Sequence, residues 1–353
     1  MRKNLMRALI YKGEKNLKLQ KIHFPELKNG EALIQVAYAG ICGTDLNIFE
    51  GKHPRAKSPL IMGHEFTGIL FQLKGKARKD LSVGQKVVIM PLLFCGNCRP
   101  CKEGYPHVCK NLRIIGVDTD GGFAEYVKVP QENVCPLPNS VSLRKGALVE
   151  PLAVGVHVLN RVPYHIRDIV VVSGFGPIGL IIALLLKKSG LRRIYIAEIN
   201  GFRIDRAKEL GFEVIDANET NPIDFILKET NGDGADVVFE ASGAPSSIGK
   251  VTQMVRCHGT VMLIGIPKEI PRMDIADSIF KELSILTSRV YSKRDFDAAL
   301  EMMAEGNFDG LEKMTTEEFM LEEGDRAFQF AVNSQNNQFK VLLKANRKNG
   351  ISN

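Results

Sequence analysis

Apolar residues are arranged differently in the two parts of the chain. Up to about residue 148, short runs rich in strand-forming residues are separated by Gly, Pro and Asn, as in EALIQVAYAG, GQKVVIMP and GGFAEYVKVP. Runs of this kind are typical of strands that are bounded by turns. We therefore predict a twisted, partly closed β-rich domain in this part of the chain.

From about residue 150 the pattern changes to continuous apolar runs that alternate with helical segments such as GLIIALLLKKSG. The apolar runs are IVVVSG, IYIAEI, FEVIDA, DVVFEA and TVMLIG. Continuous apolar runs indicate strands that are buried on both faces, and their alternation with helices predicts a doubly wound α/β domain with a parallel sheet. Beyond residue 288, RDFDAALEMMAEG predicts an amphipathic helix, and a short apolar run, FKVLLKA, follows it.

The composition excludes two classes of protein. Hydrophobic residues make up 44% of the chain, and no run approaches the roughly 18 uninterrupted apolar residues of a membrane span. The net charge is +7, but 47 basic residues are interleaved with 40 acidic ones, so we expect no nucleic-acid partner.

The N-terminal run MRKNLMRALIYKGEKNLKL lacks the apolar core and cleavage site of a secretory signal, so we expect the protein to stay in the cytoplasm.

Four of the seven cysteines crowd into one short segment. They are Cys95, Cys98, Cys101 and Cys109. In a reducing cytoplasm a tight cysteine cluster indicates a metal site before a disulfide, and four thiolates suit a closed tetrahedral zinc site that stabilises a loop. The spacing does not match a nucleic-acid zinc ribbon, whose two CxxC pairs are separated from each other by about 15 to 20 residues.

A glycine-rich run follows the first strand predicted for the α/β domain. It reads Gly174-Phe175-Gly176-Pro177-Ile178-Gly179 and leads into an apolar helix. In this context the glycines permit a tight turn, a close approach of the pyrophosphate, and close packing of helix and strand. The next strand ends at Glu198, which can bind a ribose 2′-hydroxyl and would repel a 2′-phosphate, so we predict NAD rather than NADP. Arg203 either softens this preference or is a solvated surface residue.

Three further motifs stand far apart in the chain. They are Gly40-Ile-Cys42-Gly-Thr44-Asp45, Gly63-His64-Glu65 and Val149-Glu150-Pro151. Together they offer cysteine, histidine and glutamate ligands from widely separated positions, as catalytic zinc sites commonly do. Such a zinc needs only three protein ligands and leaves one position for a substrate oxygen, whose pKa falls on binding.

These motifs resemble those of the zinc-dependent medium-chain dehydrogenases/reductases, and more narrowly their polyol branch of sorbitol, butanediol and threonine dehydrogenases. The resemblance covers nearly the whole chain and also rests on GHEFTG, GGFAEY, VEPLAV and KVLL. It implies one catalytic and one structural zinc per chain. By this resemblance Cys42 and His64 are zinc ligands, and Glu65 is a carboxylate that binds zinc directly or stands beside it. Glu150 stands where simple alcohol dehydrogenases have a second cysteine, and the resemblance implies that it meets zinc directly or through water.

The resemblance also implies roles for two neighbours of the ligands. Asp45 matches the acid that orients the ligating histidine, and Thr44 matches the hydroxyl that takes the alcohol proton. Asn47 departs from the family pattern, because many relatives carry a histidine there that passes the proton to solvent. We therefore expect the proton to leave through the nicotinamide ribose and water.

The resemblance leaves the substrate open. A neutral polyol is the first choice, and the basic run Lys52-His-Pro-Arg55-Ala-Lys57 raises the alternative of a sugar acid such as gulonate or galactonate, held by Arg55 or Lys57. Threonine is a third option. The non-enzymatic alternative is a subunit that binds the cofactor but has lost catalysis. The complete set of zinc ligands argues against it.

A length of 353 residues exceeds what one hydrophobic core usually organises. We predict a GroES-like catalytic domain made of residues 1–149 and 289–353, and a Rossmann domain at 150–288, with the active site in the cleft between them. The resemblance implies a homo-oligomer that associates through the edge of the Rossmann sheet, with a tetramer favoured over a dimer.

Overall fold

Each run that the sequence predicted as a strand contains one in the computed structural model, which describes residues 5–306, 308, 310–333 and 337–346. The strands are β1 (Leu5–Tyr11), β2 (Leu17–His23), β3 (Glu31–Ile41), β4 (Leu60–Ile61), β5 (Glu65–Leu73), β6 (Lys86–Ile89), β7 (Leu92–Leu93), β8 (Arg113–Ile114), β9 (Tyr126–Pro130), β10 (Val134–Pro136), β11 (Ile169–Ser173), β12 (Arg193–Glu198), β13 (Glu213–Asp216), β14 (Ala235–Glu240), β15 (Val255–Leu263), β16 (Ser284–Thr287), β17 (Thr315–Met320) and β18 (Lys340–Lys344).

The helices include the two that the sequence predicted, which are the fifth and the eleventh in chain order. They are α1 (Gly43–Phe49), α2 (Arg99–Lys102), α3 (Leu143–Gly146), α4 (Val149–Asn160), α5 (Pro177–Lys188), α6 (Gly201–Glu209), α7 (Pro222–Glu229), α8 (Pro245–Ile248), α9 (Val251–Met254), α10 (Ile275–Phe280), α11 (Lys293–Ala304) and α12 (Gly324–Asn333). Single-turn 3-10 helices lie at Pro106–Val108, Gln131–Asn133, Leu311–Met314 and Leu321–Glu323.

The chain divides into two units. The first contains residues 1–150, 292–307 and 312–353, and the second contains 151–291 and 308–311. The sequence placed these divisions at 149/150 and 288/289, and it did not indicate that the short segment 308–311 belongs with the second unit.

The first unit is built on a mixed sheet with β3 near its centre. Its strand order is β10-β6-β5-β3-β18-β17, and β9 also pairs with β3. Strands β5 and β18 both run antiparallel to β3, one on each side. Apolar side chains such as Ile34, Val36 and Phe66 are buried in the core of this unit. The sheet therefore brings the ends of three strands that are distant in sequence to one place.

The second unit contains a parallel sheet in the order β13-β12-β11-β14-β15-β16. Counted from β11, this is the order 3-2-1-4-5-6 of dinucleotide-binding folds. Its buried core includes Val171, Tyr195, Val238 and Val261. The sequence predicted five of these strands and missed β16, because Ser284–Thr287 is short and polar at both ends.

None of the helices in the described part of the chain is long and apolar enough to cross a membrane.

Candidate active site

Two neighbouring strands bring the separated cysteine and histidine motifs together. Cys42 directly follows β3, and His64 directly precedes β5. Because the two strands are antiparallel and Gly40 is paired with Glu65, the end of β3 lies beside the start of β5. Gly63 has a φ of +95°, a left-handed conformation that glycine adopts readily, and it turns the chain immediately before His64.

Three of the predicted ligands converge at this point. One ligand atom each from Cys42, His64 and Glu65 lies within 4.8 Å of the other two, and both His64 and Glu65 are buried. A thiol, an imidazole and a carboxylate are the donor types that zinc prefers in catalytic sites. The residues at this site therefore fit a zinc ion.

Asp45 connects the cysteine and histidine segments. Its fully buried carboxylate accepts hydrogen bonds from the backbone N–H of Cys42 at 2.9 Å and of Gly63 at 3.3 Å. It also lies 3.5 Å from Nδ1 of His64, an atom that makes no hydrogen bond within the described residues. Burial lowers the pKa of His64, but Asp45 and Cys42 together raise it more, so that the pKa is well above its usual value. This is the placement expected of an acid that orients a ligating histidine.

Lys340 is a site residue to which the sequence analysis gave no role, although it is the first residue of the KVLL motif. It begins β18 and is 3% exposed, and its Nζ donates to both carboxylate oxygens of Glu65 at 2.7 Å. Burial lowers the pKa of Lys340, but Glu65, Cys42 and Glu150 raise it more, so the pKa lies above its usual value. The available signal was a lysine at the start of the apolar run FKVLLKA, since buried lysines are rare unless paired.

The other residues that the sequence analysis considered for the active site lie outside the group of three converging ligands. Glu150 is buried in the first turn of α4 and is not among the three converging ligands, although its charge contributes to the raised pKa of Lys340. Thr44 is half-buried in the first turn of α1, and Asn47 is exposed in the same helix. Glu65, rather than Glu150, is thus the carboxylate that the structure groups with Cys42.

The cysteine cluster converges on a common centre. Sγ of Cys98 lies 3.4 Å from that of Cys101 and 3.7 Å from that of Cys109, which is 3.5 Å from that of Cys95. All four thiols are free, and these distances far exceed the roughly 2.05 Å of a disulfide. Tetrahedral zinc with Zn–S bonds of about 2.3 Å would separate its sulfurs by about 3.8 Å, so the cluster fits zinc.

Backbone N–H groups point to the sulfur atoms of this cluster. The N–H of Asn111 points to Sγ of Cys109 at 3.3 Å. The N–H groups of Cys101 and Lys110 lower the pKa of Cys98 to about 6. Desolvation and the neighbouring Cys98 sulfur raise the pKa of Cys101 to about 12. The backbone N–H groups thus favour the thiolate form of Cys98, which is the form that binds a metal ion.

The glycine-rich loop of the second unit has the local geometry that the sequence predicted. It connects β11 to α5, with Gly174 at a φ of +93°. A Cβ on Gly179 would lie 2.0 Å from the carbonyl oxygen of Gly174, whereas a Cβ on Gly176 would meet no atom closer than 3.8 Å. Gly176 and the half-buried Pro177 and Ile178 therefore leave room at the helix N-terminus, where a pyrophosphate is stabilised.

Glu198 ends β12 as predicted, and its carboxylate also organises the loop. One oxygen accepts the N–H of Phe175 at 2.7 Å, and the other accepts those of Ile199 at 2.8 Å and Asn200 at 3.1 Å. Arg203 lies 3.7 Å from Glu198. Because a carboxylate has about four acceptor sites, Glu198 retains capacity for a ribose hydroxyl. The side chain of Phe175 is buried, so only its backbone faces this network.

Comparison with known proteins agrees with this geometry. Residues 28–139 match the family model for the alcohol dehydrogenase GroES-like domain, and residues 177–305 match the model for zinc-binding dehydrogenases. A 2-dehydro-3-deoxy-L-galactonate 5-dehydrogenase of Pseudoalteromonas atlantica is 36% identical over 305 residues, which cover 86% of this chain and 89% of that protein. The chain belongs to the zinc-type medium-chain alcohol dehydrogenase family. This dehydrogenase therefore has the predicted combination of a GroES-like and a Rossmann domain, and it is an enzyme.

Other relatives of this dehydrogenase are named for different substrates. An L-threonine 3-dehydrogenase of Bacillus licheniformis is 36% identical over 287 residues, covering 79% of this chain and 82% of that protein. The crystal structure of 2R,3R-butanediol dehydrogenase from Bacillus subtilis has a TM-score of 0.89 at 28% identity and covers 97% of this chain and 100% of that one. The family thus acts on small-molecule alcohols that include polyols, sugar acids and threonine.

Two further structures similar to this dehydrogenase contain nicotinamide cofactors. An alcohol dehydrogenase from Escherichia coli CFT073 was determined with NADH; its TM-score is 0.89 at 29% identity, with 97% of this chain and 99% of that one covered. A zinc-binding dehydrogenase from Sinorhizobium meliloti 1021 was bound to NADP; its TM-score is 0.88 at 27% identity, with 96% and 99% covered. Zinc and a nicotinamide cofactor are therefore the cofactors of the family.

Proposed function

We propose that this dehydrogenase oxidises a secondary hydroxyl of a polyol to a ketone, reversibly, with zinc and NAD. The observation that carries the proposal is the convergence of Cys42, His64 and Glu65 within 4.8 Å at the ends of two paired strands. When bound, zinc lowers the pKa of the substrate hydroxyl and NAD accepts the hydride.

The residues of the chain have separate tasks in this proposal. Cys42 and His64 hold the metal together with a carboxylate from Glu65 or Glu150, and Asp45 orients the imidazole through Nδ1. The Thr44 hydroxyl takes the proton of the substrate hydroxyl. Asn47 cannot carry this proton onward, because an amide does not titrate.

A sugar acid is the second candidate substrate. The relative from Pseudoalteromonas atlantica acts on a sugar acid by its name. The basic segment offers two cations, but Arg55 donates to the carbonyl oxygen of Leu112 at 2.7 Å and lies 3.4 Å from Asp118. Lys57 is exposed and forms no ion pair with the described residues. Lys57 is thus the better candidate for binding a substrate carboxylate.

A panel of polyols, sugar acids and threonine, assayed with NAD and NADP on zinc-loaded enzyme, tests both candidates. If a sugar acid is the substrate, Lys57→Ala should raise its KM roughly two- to fivefold, as for loss of a solvated ion pair, and leave the KM of polyols unchanged. Lys52→Ala is the matched control, because Lys52 already pairs with Glu50 at 2.8 Å. Turnover of none of these alcohols would contradict the proposed activity.

We propose NAD as the preferred nicotinamide cofactor because Glu198 is buried at the end of β12, within the loop network. Glu198→Ala removes a charge-assisted acceptor, so we expect kcat/KM with NAD to fall about 10- to 100-fold and kcat/KM with NADP to fall less. Steady-state kinetics with both cofactors measure the ratio. Glu209→Ala, an exposed glutamate at the end of α6, is the control, and an unaltered ratio in Glu198→Ala would contradict the assignment.

The cysteine cluster is the proposed site of a second, structural zinc. Its sulfurs offer four ligands and leave no position for a substrate. The cytoplasm is the proposed compartment, because a reducing environment keeps these thiols free to bind zinc.

We propose that this dehydrogenase associates with further copies through β16 and α10. Strand β16 lies at the edge of the parallel sheet and pairs with β15 on one side. The exposed large apolar side chains in and before α10 are Ile266, Ile270, Ile275, Ile279 and Phe280. Edge strands and apolar patches of this kind favour association, and a dimer formed here is the unit from which the expected tetramer would be built.

Phe280→Asp should disrupt this association, because Phe280 is 87% exposed in the single chain and a carboxylate would be desolvated in the interface. Light scattering should report a smaller particle for this variant. Phe71→Asp is the control, since Phe71 is also exposed but lies on β5 of the other unit. An unchanged mass for Phe280→Asp would refute the assigned interface.

A further inference from the structure

A buried ion pair lies directly against the proposed metal ligands. Lys340 is 3% and Glu65 1% exposed, and the lysine Nζ is 2.7 Å from both carboxylate oxygens. Its third neighbour is the carbonyl oxygen of Ile41, at 3.4 Å. The same carboxylate belongs to the group that fits zinc, so in a zinc-loaded enzyme Glu65 would face two cations.

The sheet explains how residues so far apart meet. Gly40 on β3 is paired with Glu65 on β5, and a Cβ on Gly40 would lie 2.2 Å from a carboxylate oxygen of Glu65. The Glu65 side chain thus passes over the space that Gly40 leaves and reaches β18 on the far side of β3. The antiparallel register of β18 and β3, continued by one residue, puts Lys340 opposite Cys42. Gly40 makes this contact sterically possible.

Stability alone gives little reason for such a pair. Burying two ions costs desolvation energy that their attraction often fails to recover, and an apolar pair of similar size is frequently as stable. The position of Lys340 is instead informative, because its Nζ contacts Glu65, whose carboxylate lies within 4.8 Å of the ligand atoms of Cys42 and His64. All three of these residues are proposed zinc ligands. The lysine is therefore placed to act on the metal site.

We propose that Lys340 is a positioning residue that competes with the catalytic zinc for Glu65, and so keeps Glu65 an exchangeable rather than a permanent ligand. The inference rests on the proposed function, because it presupposes zinc at Cys42 and His64. If Glu65 and Glu150 both stayed on the metal with these two residues, a four-coordinate site would have no position for substrate. Lys340 keeps that position available by holding Glu65 back.

Cobalt(II) reconstitution of the full chain tests this proposal. The visible bands of cobalt report coordination number, its near-ultraviolet thiolate band reports Cys42, and subtraction of a Cys42→Ser sample removes the contribution of the cysteine cluster. In Lys340→Met we expect one additional ligand, cobalt dissociation slower by roughly tenfold, and kcat lower by roughly 10- to 100-fold. A merely structural role for Lys340 would lose metal and turnover together, so tighter binding with slower turnover is the discriminating result.

Further variants of Lys340 and one control complete the cobalt experiment. Adding Glu65→Gln to Lys340→Met should restore the original coordination number and dissociation rate, and Lys340→Arg should resemble the parent. Lys340→Gln replaces Lys340→Met if the latter does not fold, with the same expectation. Lys344→Met, at the other end of β18, is the matched control.

The possible failures are distinguishable. A Cys42→Ser sample with unchanged cobalt content and spectrum would refute the metal site itself, and with it the proposed function. If Cys42→Ser removes the thiolate band but Lys340→Met and Lys340→Gln leave the coordination number unchanged, only the role of Lys340 is refuted.

Discussion

Replacing His64 with alanine should abolish NAD-dependent turnover while the chain remains folded. His64 is buried between Asp45 and Cys42, and its removal leaves the metal with one strong ligand fewer. The Lewis acidity of a catalytic metal contributes several kcal/mol to transition-state stabilisation, so we expect kcat/KM to fall on the order of a thousandfold or more. Metal analysis of the purified variant should show the loss of about one zinc per chain, leaving the one at the cysteine cluster.

A matched histidine separates this effect from general damage to the fold. His157 is as buried as His64 but lies in α4, outside both groups of converging ligands. His157→Ala should keep its zinc content and most of its turnover. Circular dichroism and melting curves of both variants should show retained secondary structure. Full activity in a folded His64→Ala variant would exclude the proposed metal chemistry.

Of the substitutions considered, Cys98→Ser should cause the largest decrease in the free energy of unfolding. The cluster fits tetrahedral zinc, and structural zinc contributes about 10–16 kcal/mol to the folding of small zinc-dependent domains. Even part of that energy is comparable with the total stability of an ordinary domain, about 5–15 kcal/mol. We therefore expect the Tm to fall by at least about 10 °C, with loss of one zinc per chain.

Cys257 provides the control for this second experiment. It is an exposed, free cysteine outside the cluster, so Cys257→Ser should melt like the parent. Differential scanning fluorimetry with parallel zinc analysis measures both variants. Chelation of the parent enzyme should reproduce the lower Tm of Cys98→Ser. Equal melting and equal zinc content in Cys98→Ser and the parent would refute the structural site.

Features governed by local spacing could be predicted from the sequence. The four cysteines lie between residues 95 and 109, and the glycine-rich loop joins a strand directly to the helix that follows. In both, the ligands or N–H groups are neighbours along the chain, so residue type and spacing define their geometry. The same holds for the alternation of buried strands and helices from β11 to β15. Resemblance to a known family then indicated Cys42 and His64, which are 22 positions apart, as partners.

Other features depend on contacts that local patterns do not encode. Lys340 and Glu65 are 275 residues apart, and they meet because β5 and β18 flank the same strand. The hydrogen bond that Arg55 donates to the carbonyl oxygen of Leu112 likewise forms only because the fold brings together segments that are 57 residues apart. A short, polar edge strand such as β16 has no buried face to mark it in the sequence. Periodicity reports which side of an element is buried, whereas the identity of the partner is decided only when sheet order and register bring distant segments together.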